Sequence, residues 1–432
     1  MIDMVGIGPF ITLSIVVSVM NGPWFLYAWF AGALLSIIDA MIWSELGAAY
    51  PLAGGSYNFL KEAYGKDGPG KMMSFLYVWQ TMIQAPLVAA SAAIGFSQYF
   101  CYLFPLEDWQ QKVVSGSVII FVTFLLYRNI ESIGKIGVVL WMGVILIMSW
   151  IIFGGVSNGH FFAPLTKIND GFKGGQLFFV VLGQASVKTI YSYLGYYNVC
   201  HLGGEIKNPG KNIPRSMFIS IIGIAVLYLG MNLSVSSVIG WQEIKSLQDM
   251  GKADHVVSTF IERLYGYGAA RIATGLILCV AFASLFAVML GYSRVPFAAA
   301  ADGSFFKVFA KLHPTKNFPY VSLLVLCVLA FIFSLTFKMK HIIDGILAMR
   351  IIVQFVAQAV GVMLLRKKKG TAGLAYKMPL YPLPVILAIA MWLYIFFSTQ
   401  FMIMLYFAAV FGTGLIVYFI YANYKKQWPF NK

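Results

Sequence analysis

Two stretches of this chain offer backbone groups, more than side chains, for chemistry. Val5-Gly6-Ile7-Gly8-Pro9-Phe10 and Tyr191-Ser192-Tyr193-Leu194-Gly195-Tyr196-Tyr197-Asn198 each interrupt a hydrophobic run with glycine or with aromatic and polar residues. Lipid cannot satisfy free N–H and C=O groups, so a broken helix at membrane depth must face protein or a water-filled cavity. The N–H groups that open a half-helix, backed by its dipole, hold an anion such as a carboxylate. Carbonyls at the end of an opposing half-helix hold a cation such as an ammonium. A site with both features matches an α-amino acid, and Gly6 and Gly8 let a ligand approach the backbone closely. Taken alone, Gly6-x-Gly8 is also a signature of helices packed through small residues. The matching break half a chain away favours the cavity.

A few charged residues fall within or beside the same apolar runs. Lys188 precedes the second break by about one helical turn. It either faces the cavity, favouring a substrate with an acidic side chain, or belongs to a structural ion pair. Lys135 follows Gly134 at the start of another run and is either a buried, coupling lysine or one that snorkels to the interface. Glu45 and Glu205 end their runs near Lys61 and near Lys207–Arg215, as a gate or as solvated helix ends. Asp39 lies deeper and is costly there unless paired. The breaks themselves contain no carboxylate, which disfavours a polyamine or another organic cation as ligand.

The elements that position these residues are membrane spans. Of 432 residues, 60% are hydrophobic and 11% charged, with a mean hydropathy of +0.79, whereas a soluble chain carries about 25% charged residues. At about 20 apolar residues per crossing, twelve spans are expected, near 4–20, 25–48, 72–104, 112–128, 134–155, 176–203, 214–239, 270–300, 319–337, 342–365, 381–398 and 401–423. The fold class is therefore an all-α polytopic membrane protein embedded in a lipid bilayer. With both termini in the cytoplasm, the internal side holds 20 of the 31 Lys and Arg and the external side nine, as the positive-inside rule requires. The net charge of +15 is spread through loops, so no nucleic-acid partner is expected. Only five residues precede Gly6, too few for a half-helix. The expectation is that upstream residues are missing, or else that this half-helix has been lost.

Other function classes lack their signatures. The five histidines are scattered, and no His-x-x-x-His pair or paired intramembrane aspartates mark an enzyme. No Gly-x-x-x-x-Gly-Lys-Ser/Thr loop provides for an ATP-driven pump, and no repeated pore loop provides for a channel. Cys101, Cys200, Cys279 and Cys327 are widely spaced in apolar runs and read as small buried hydrophobes. Neither a metal nor a cofactor is expected. The reading that remains is a secondary transporter for a small solute, with a non-transporting receptor of the same fold as the alternative.

Five segments carry a resemblance to a family. They are Gly6-Ile7-Gly8-Pro9-Phe10; Trp43-Ser44-Glu45-Leu46-Gly47 with Pro51 and Gly54-Gly55-Ser56-Tyr57; Tyr191 to Glu205 followed by Asn208-Pro209-Gly210-Lys211-Asn212-Ile213-Pro214-Arg215; Ser293-Arg294-Val295-Pro296-Phe297-Ala298-Ala299-Ala300-Ala301-Asp302-Gly303; and Tyr376-Lys377-Met378-Pro379-Leu380-Tyr381-Pro382-Leu383-Pro384. In this order they resemble the amino acid–polyamine–organocation (APC) superfamily of permeases. The resemblance implies a LeuT-like fold with helices 1 and 6 interrupted. A single transporter domain over 1–432 would comprise two inverted five-helix repeats (about 1–156 and 176–366) and two accessory helices (about 381–424). It implies an amino acid carried by alternating access across the plasma (inner) membrane, by proton coupling or exchange and without sodium. The substrate carboxylate would meet N–H groups of Ile7 and Gly8, and its ammonium carbonyls of Met4, Tyr191, Ser192 and Leu194, with Gly6 and Gly195 bending the backbone around it. Tyr191 is implied as an aromatic gate and Lys135 as a replacement for a sodium ion, while Tyr196 is a further gating or specificity candidate.

Overall fold

The computed structural model describes residues 4–52, 54–127, 133–170, 172, 175–201, 203–250, 253–371 and 373–430, with the backbone alone at 133–140 and 205. Helix α1 (Gly8–Met20) begins directly at the first break. Pro9 suits its first turn because it lacks the N–H that would go unused there, and Asn21 closes the helix in the left-handed conformation (φ 50°). Then follow α2 (Leu26–Ala49), a short α3 (Ser56–Tyr64), α4 (Pro69–Leu103), α5 (Asp108–Leu126) and α6 (Ile133–Ser157).

A four-residue turn, α7 (Ala163–Thr166), precedes α8 (Gln176–Tyr193), and α9 (Asn198–His201) resumes the same path after the second break. The remaining helices are α10 (Pro209–Val238), α11 (Trp241–Asp249), α12 (Val256–Ala301), α13 (Tyr320–Thr336), α14 (Met339–Arg350), α15 (Ala357–Lys369), α16 (Leu383–Ser398) and α17 (Phe401–Lys425). A π-helical turn over Ile351–Val356 joins α14 to α15.

Helix lies within each of the expected spans among the described residues, although the first begins only at Gly8. Among the described residues, seven helical segments are long and apolar enough to cross a membrane, and four shorter apolar helices accompany them. The 46 residues of α12 would run about 69 Å as one rod, more than twice the roughly 30 Å of a bilayer core. Gly266 (φ 82°) interrupts it, so 256–265 joins α11 in the polar segment expected near 241–269. Many large apolar side chains are exposed along the helices, among them Phe121, Phe153, Val226, Phe397 and Ile420, as a lipid-facing surface requires.

Packing pairs α1 with α8, α2 with α10, α4 with α12 and α5 with α13. In order of spans, each of the first four helices lies against the one five positions later. Helix α16 lies on α2 and α8, and α17 on α4 and α14.

Candidate functional site

The two breaks meet. A Cβ added to Gly8 would stand 3.2 Å from the Tyr191 ring and 3.4 Å from the Ser192 backbone, and one added to Gly6 would strike Ser284 on α12. A side chain at position 8 would press on α8 and one at position 6 on α12. Thr12 and Ser192 share a hydroxyl hydrogen bond of 2.8 Å. The Tyr228 hydroxyl on α10 donates to the Met4 carbonyl at 2.7 Å and to the Ser192 carbonyl at 3.1 Å. Two of the four carbonyls named as ammonium acceptors, those of Met4 and Ser192, are thus held by one side chain on a third helix. Each keeps a second lone pair for a ligand.

Helix α8 stops because Leu194 turns extended (φ −60°, ψ 154°) and Gly195 takes φ 113°, open to glycine at little cost. At the end of α8 the Leu194 N–H is shared by the Ile190 and Tyr191 carbonyls. The N–H groups that open α1 precede any carbonyl of their own helix that could accept them. A cavity of about 60 Å³ opens between the two helix ends, smaller than the roughly 300–1,000 Å³ usual for small-molecule sites.

Its lining includes Met4, Gly6, Ile7 and Gly8 from the first break and Tyr191, Ser192, Leu194, Gly195, Tyr197 and Asn198 from the second. Every binding residue named from the sequence is therefore in one cavity wall. Helix α4 adds Val88, Ser91 and Ala92, α12 adds Ser284, Val288 and Tyr292, and α14 adds Arg350. Tyr191 shares a 2.8 Å hydroxyl hydrogen bond with Ser91, which fixes its ring across the cavity. No acidic side chain is among the described lining residues.

The charged and gating candidates fare differently. Tyr196 does not line the cavity. Its hydroxyl donates to Asp39 Oδ2 at 2.5 Å, while the Trp392 indole donates to Oδ1 at 3.0 Å, so Asp39 tethers the second break to α2 and α16. Tyr197, stacked on Trp43 with ring centroids 4.9 Å apart, takes the wall position instead.

Lys188 does not open into the cavity either. It is buried, with its ammonium paired to Asp344 on α14. Glu45 is no solvated helix end. It is 4% exposed, accepts two bonds from Arg366 at 2.7 and 2.5 Å, and accepts the Met378 N–H at 2.8 Å. Arg366 in turn lies 4.0 Å over the Tyr381 ring, closing α2, α15 and the following loop into one cluster. The side chains of Lys135 and Glu205 lie outside the described residues.

Sequence reasoning passed over Tyr228 and Arg350. The only signal for Arg350 was a basic residue within an apolar span. Tyr228 carries no signal, since a lone tyrosine in a long helix reads as core.

Comparisons with known proteins agree with this architecture. The family model described as amino acid permease matches residues 1–424. The serine/threonine exchanger SteT of Bacillus subtilis is 27% identical, over 84% of this chain and 80% of its own. The methylthioribose transporter of the same organism is 23% identical over 97% and 90%. Its branched-chain amino acid permease BcaP is 23% identical over 98% and 92%.

Proposed function

This chain belongs to the amino acid permease family, and from that membership we propose that its cavity binds an α-amino acid and carries it across the membrane by alternating access. The observation that carries the reading is the meeting of two broken helices around one cavity, with helix-opening N–H groups at Ile7 and Gly8 opposite carbonyls at Met4 and Ser192. An α-carboxylate suits the first set and an α-ammonium the second. A polyamine suits neither, because the described lining holds no carboxylate and includes Arg350.

The two halves near 1–156 and 176–366 act as inverted repeats, with the helices near 381–424 as accessories. The pairing of each of the first four spans with the span five later supports that division. Basic internal loops support a plasma (inner) membrane protein with cytoplasmic termini. Coupling is to protons or to a counter-substrate and not to sodium; its support is the Gly134-Lys135 sequence alone.

Reconstitution into proteoliposomes tests the reading. Uptake of at least one labelled amino acid is expected, together with a rise in melting temperature on adding that ligand, because ligand that binds only the folded state stabilises it. Failure of all twenty amino acids to be taken up or to shift melting would overturn it. Uptake that needs sodium and ignores a proton gradient or internal amino acid would overturn the coupling.

A further inference from the structure

Arg350 is the one charged side chain among the described residues of the cavity lining, and the two groups common to all α-amino acids give it no role. Its side chain is 1% exposed and forms part of the cavity wall. One nitrogen, Nη2, donates to the Tyr292 hydroxyl. Nε and Nη1 are buried and have no hydrogen-bond partner. Among the described residues no carboxylate pairs with its guanidinium, whereas the buried Lys188 and the partly buried Arg366 each have one.

We propose that the permease selects amino acids with an anionic side chain, and that Arg350 holds that side-chain carboxylate while the two breaks hold the α-carboxylate and α-ammonium. The proposal rests on the reading of the cavity as an amino acid site and adds the substrate class. A buried guanidinium without a counterion is unfavourable, and a ligand that brings the counterion relieves this. The guanidinium is aimed in advance. Its carbon lies 5.1 Å over the Tyr197 ring and 5.4 Å over the Tyr292 ring, faces that favour a cation without neutralising it. Arginine is also the side chain whose planar fork matches a carboxylate.

The helix itself changes pitch here. The π-helical turn begins at Ile351, directly after Arg350, and such turns within α-helices concentrate at functional sites. The neighbouring wall residues, Val88, Ser91, Ser284 and Val288, carry no charge that would repel an anion.

The test compares acids with their near-isosteric amides. Dissociation constants of glutamate, glutamine, aspartate and asparagine are measured at neutral pH for the purified full chain, by melting shift and by competition for uptake. Loss of a charge-assisted contact predicts that each amide binds about 10- to 100-fold more weakly than its acid. In Arg350→Gln this acid-over-amide ratio is expected to fall towards one, and in Arg350→Lys to fall part of the way.

Amides or other neutral amino acids that bind the wild type as tightly as the acids would overturn the substrate class and leave the amino acid reading standing. So would an undiminished ratio in Arg350→Gln. Absence of binding by every amino acid would instead overturn the broader reading. The wild-type ratio alone decides the matter if the variants fail to fold.

Discussion

Lys188 and Arg350 are both basic, both buried and both near the second break, yet the fold treats them in opposite ways. The ammonium of Lys188 on α8 is paired with Asp344 on α14. Further along that same α14, the guanidinium of Arg350 meets a tyrosine hydroxyl and two aromatic faces. One charge is cancelled within the protein, and the other is left for something that enters the cavity. The contrast separates a cation that joins two helices from a cation that waits for a ligand. Arg366, cancelled bidentately by Glu45, belongs with Lys188.

Stability measurements can break this contrast. Lys188→Met strands the Asp344 carboxylate in the interior, and removing one member of a buried pair costs about 3–5 kcal/mol. A large fall in melting temperature in detergent is expected. Most of it should return in the double variant Lys188→Met with Asp344→Leu, which leaves no lone charge. If Lys188→Met melts like the wild type, the pair is not a structural joint.

Tyr228→Phe comes next. It strips the donor shared by the Met4 and Ser192 carbonyls, and a buried acceptor left without a partner costs about 1–3 kcal/mol. Affinity for the transported amino acid should weaken as well, because both carbonyls line the ammonium side of the cavity. A variant that melts earlier but binds ligand as before would reduce Tyr228 to a packing residue. For Arg350→Met the expected stability loss is at most about 1 kcal/mol, since the side chain removed is a charge with no counterion to strand. A loss as large as that of Lys188→Met would show Arg350 to be structural and would erase the contrast.

Where the sequence was legible, backbone chemistry was the reason. A helix that breaks must do so at residues of unusual backbone preference, so Gly6, Gly8 and Gly195 mark the cavity without any knowledge of packing. Spans likewise follow from apolar length. Pairings do not, because Lys188 and Asp344 lie 156 positions apart and meet only through the rotation of α8 against α14. Past the break, Tyr196 turns towards Asp39 and its neighbour Tyr197 into the cavity wall, a choice that composition cannot express. In sequence terms Lys188, the cation nearest the break, is either the source of an acidic-substrate preference or one member of a structural ion pair. The structure cancels that charge and leaves Arg350 as the one able to exert it.

The smallest effect expected lies outside the membrane, where an ion pair of the same chemistry has the opposite surroundings. Arg263 donates to Glu243 at 3.0 and 2.5 Å, and that bonding holds the Glu243 carboxyl below its usual value of 4.5. A carboxyl whose folded-state value is depressed adds stability above the unfolded value and loses it as pH falls through the folded one. Their side chains are 42% and 44% exposed, so water and salt screen the pair and its contribution stays below about 1 kcal/mol. Melting of Glu243→Gln should therefore trail the wild type slightly near neutral pH, converge with it as pH falls through the lowered folded-state value, and converge also in high salt. The buried Lys188–Asp344 pair, screened far less, should respond little to the same salt. A Glu243→Gln deficit that persists in acid and in salt would mean that the exposed pair works like the buried one, and that burial is not what sets the two apart.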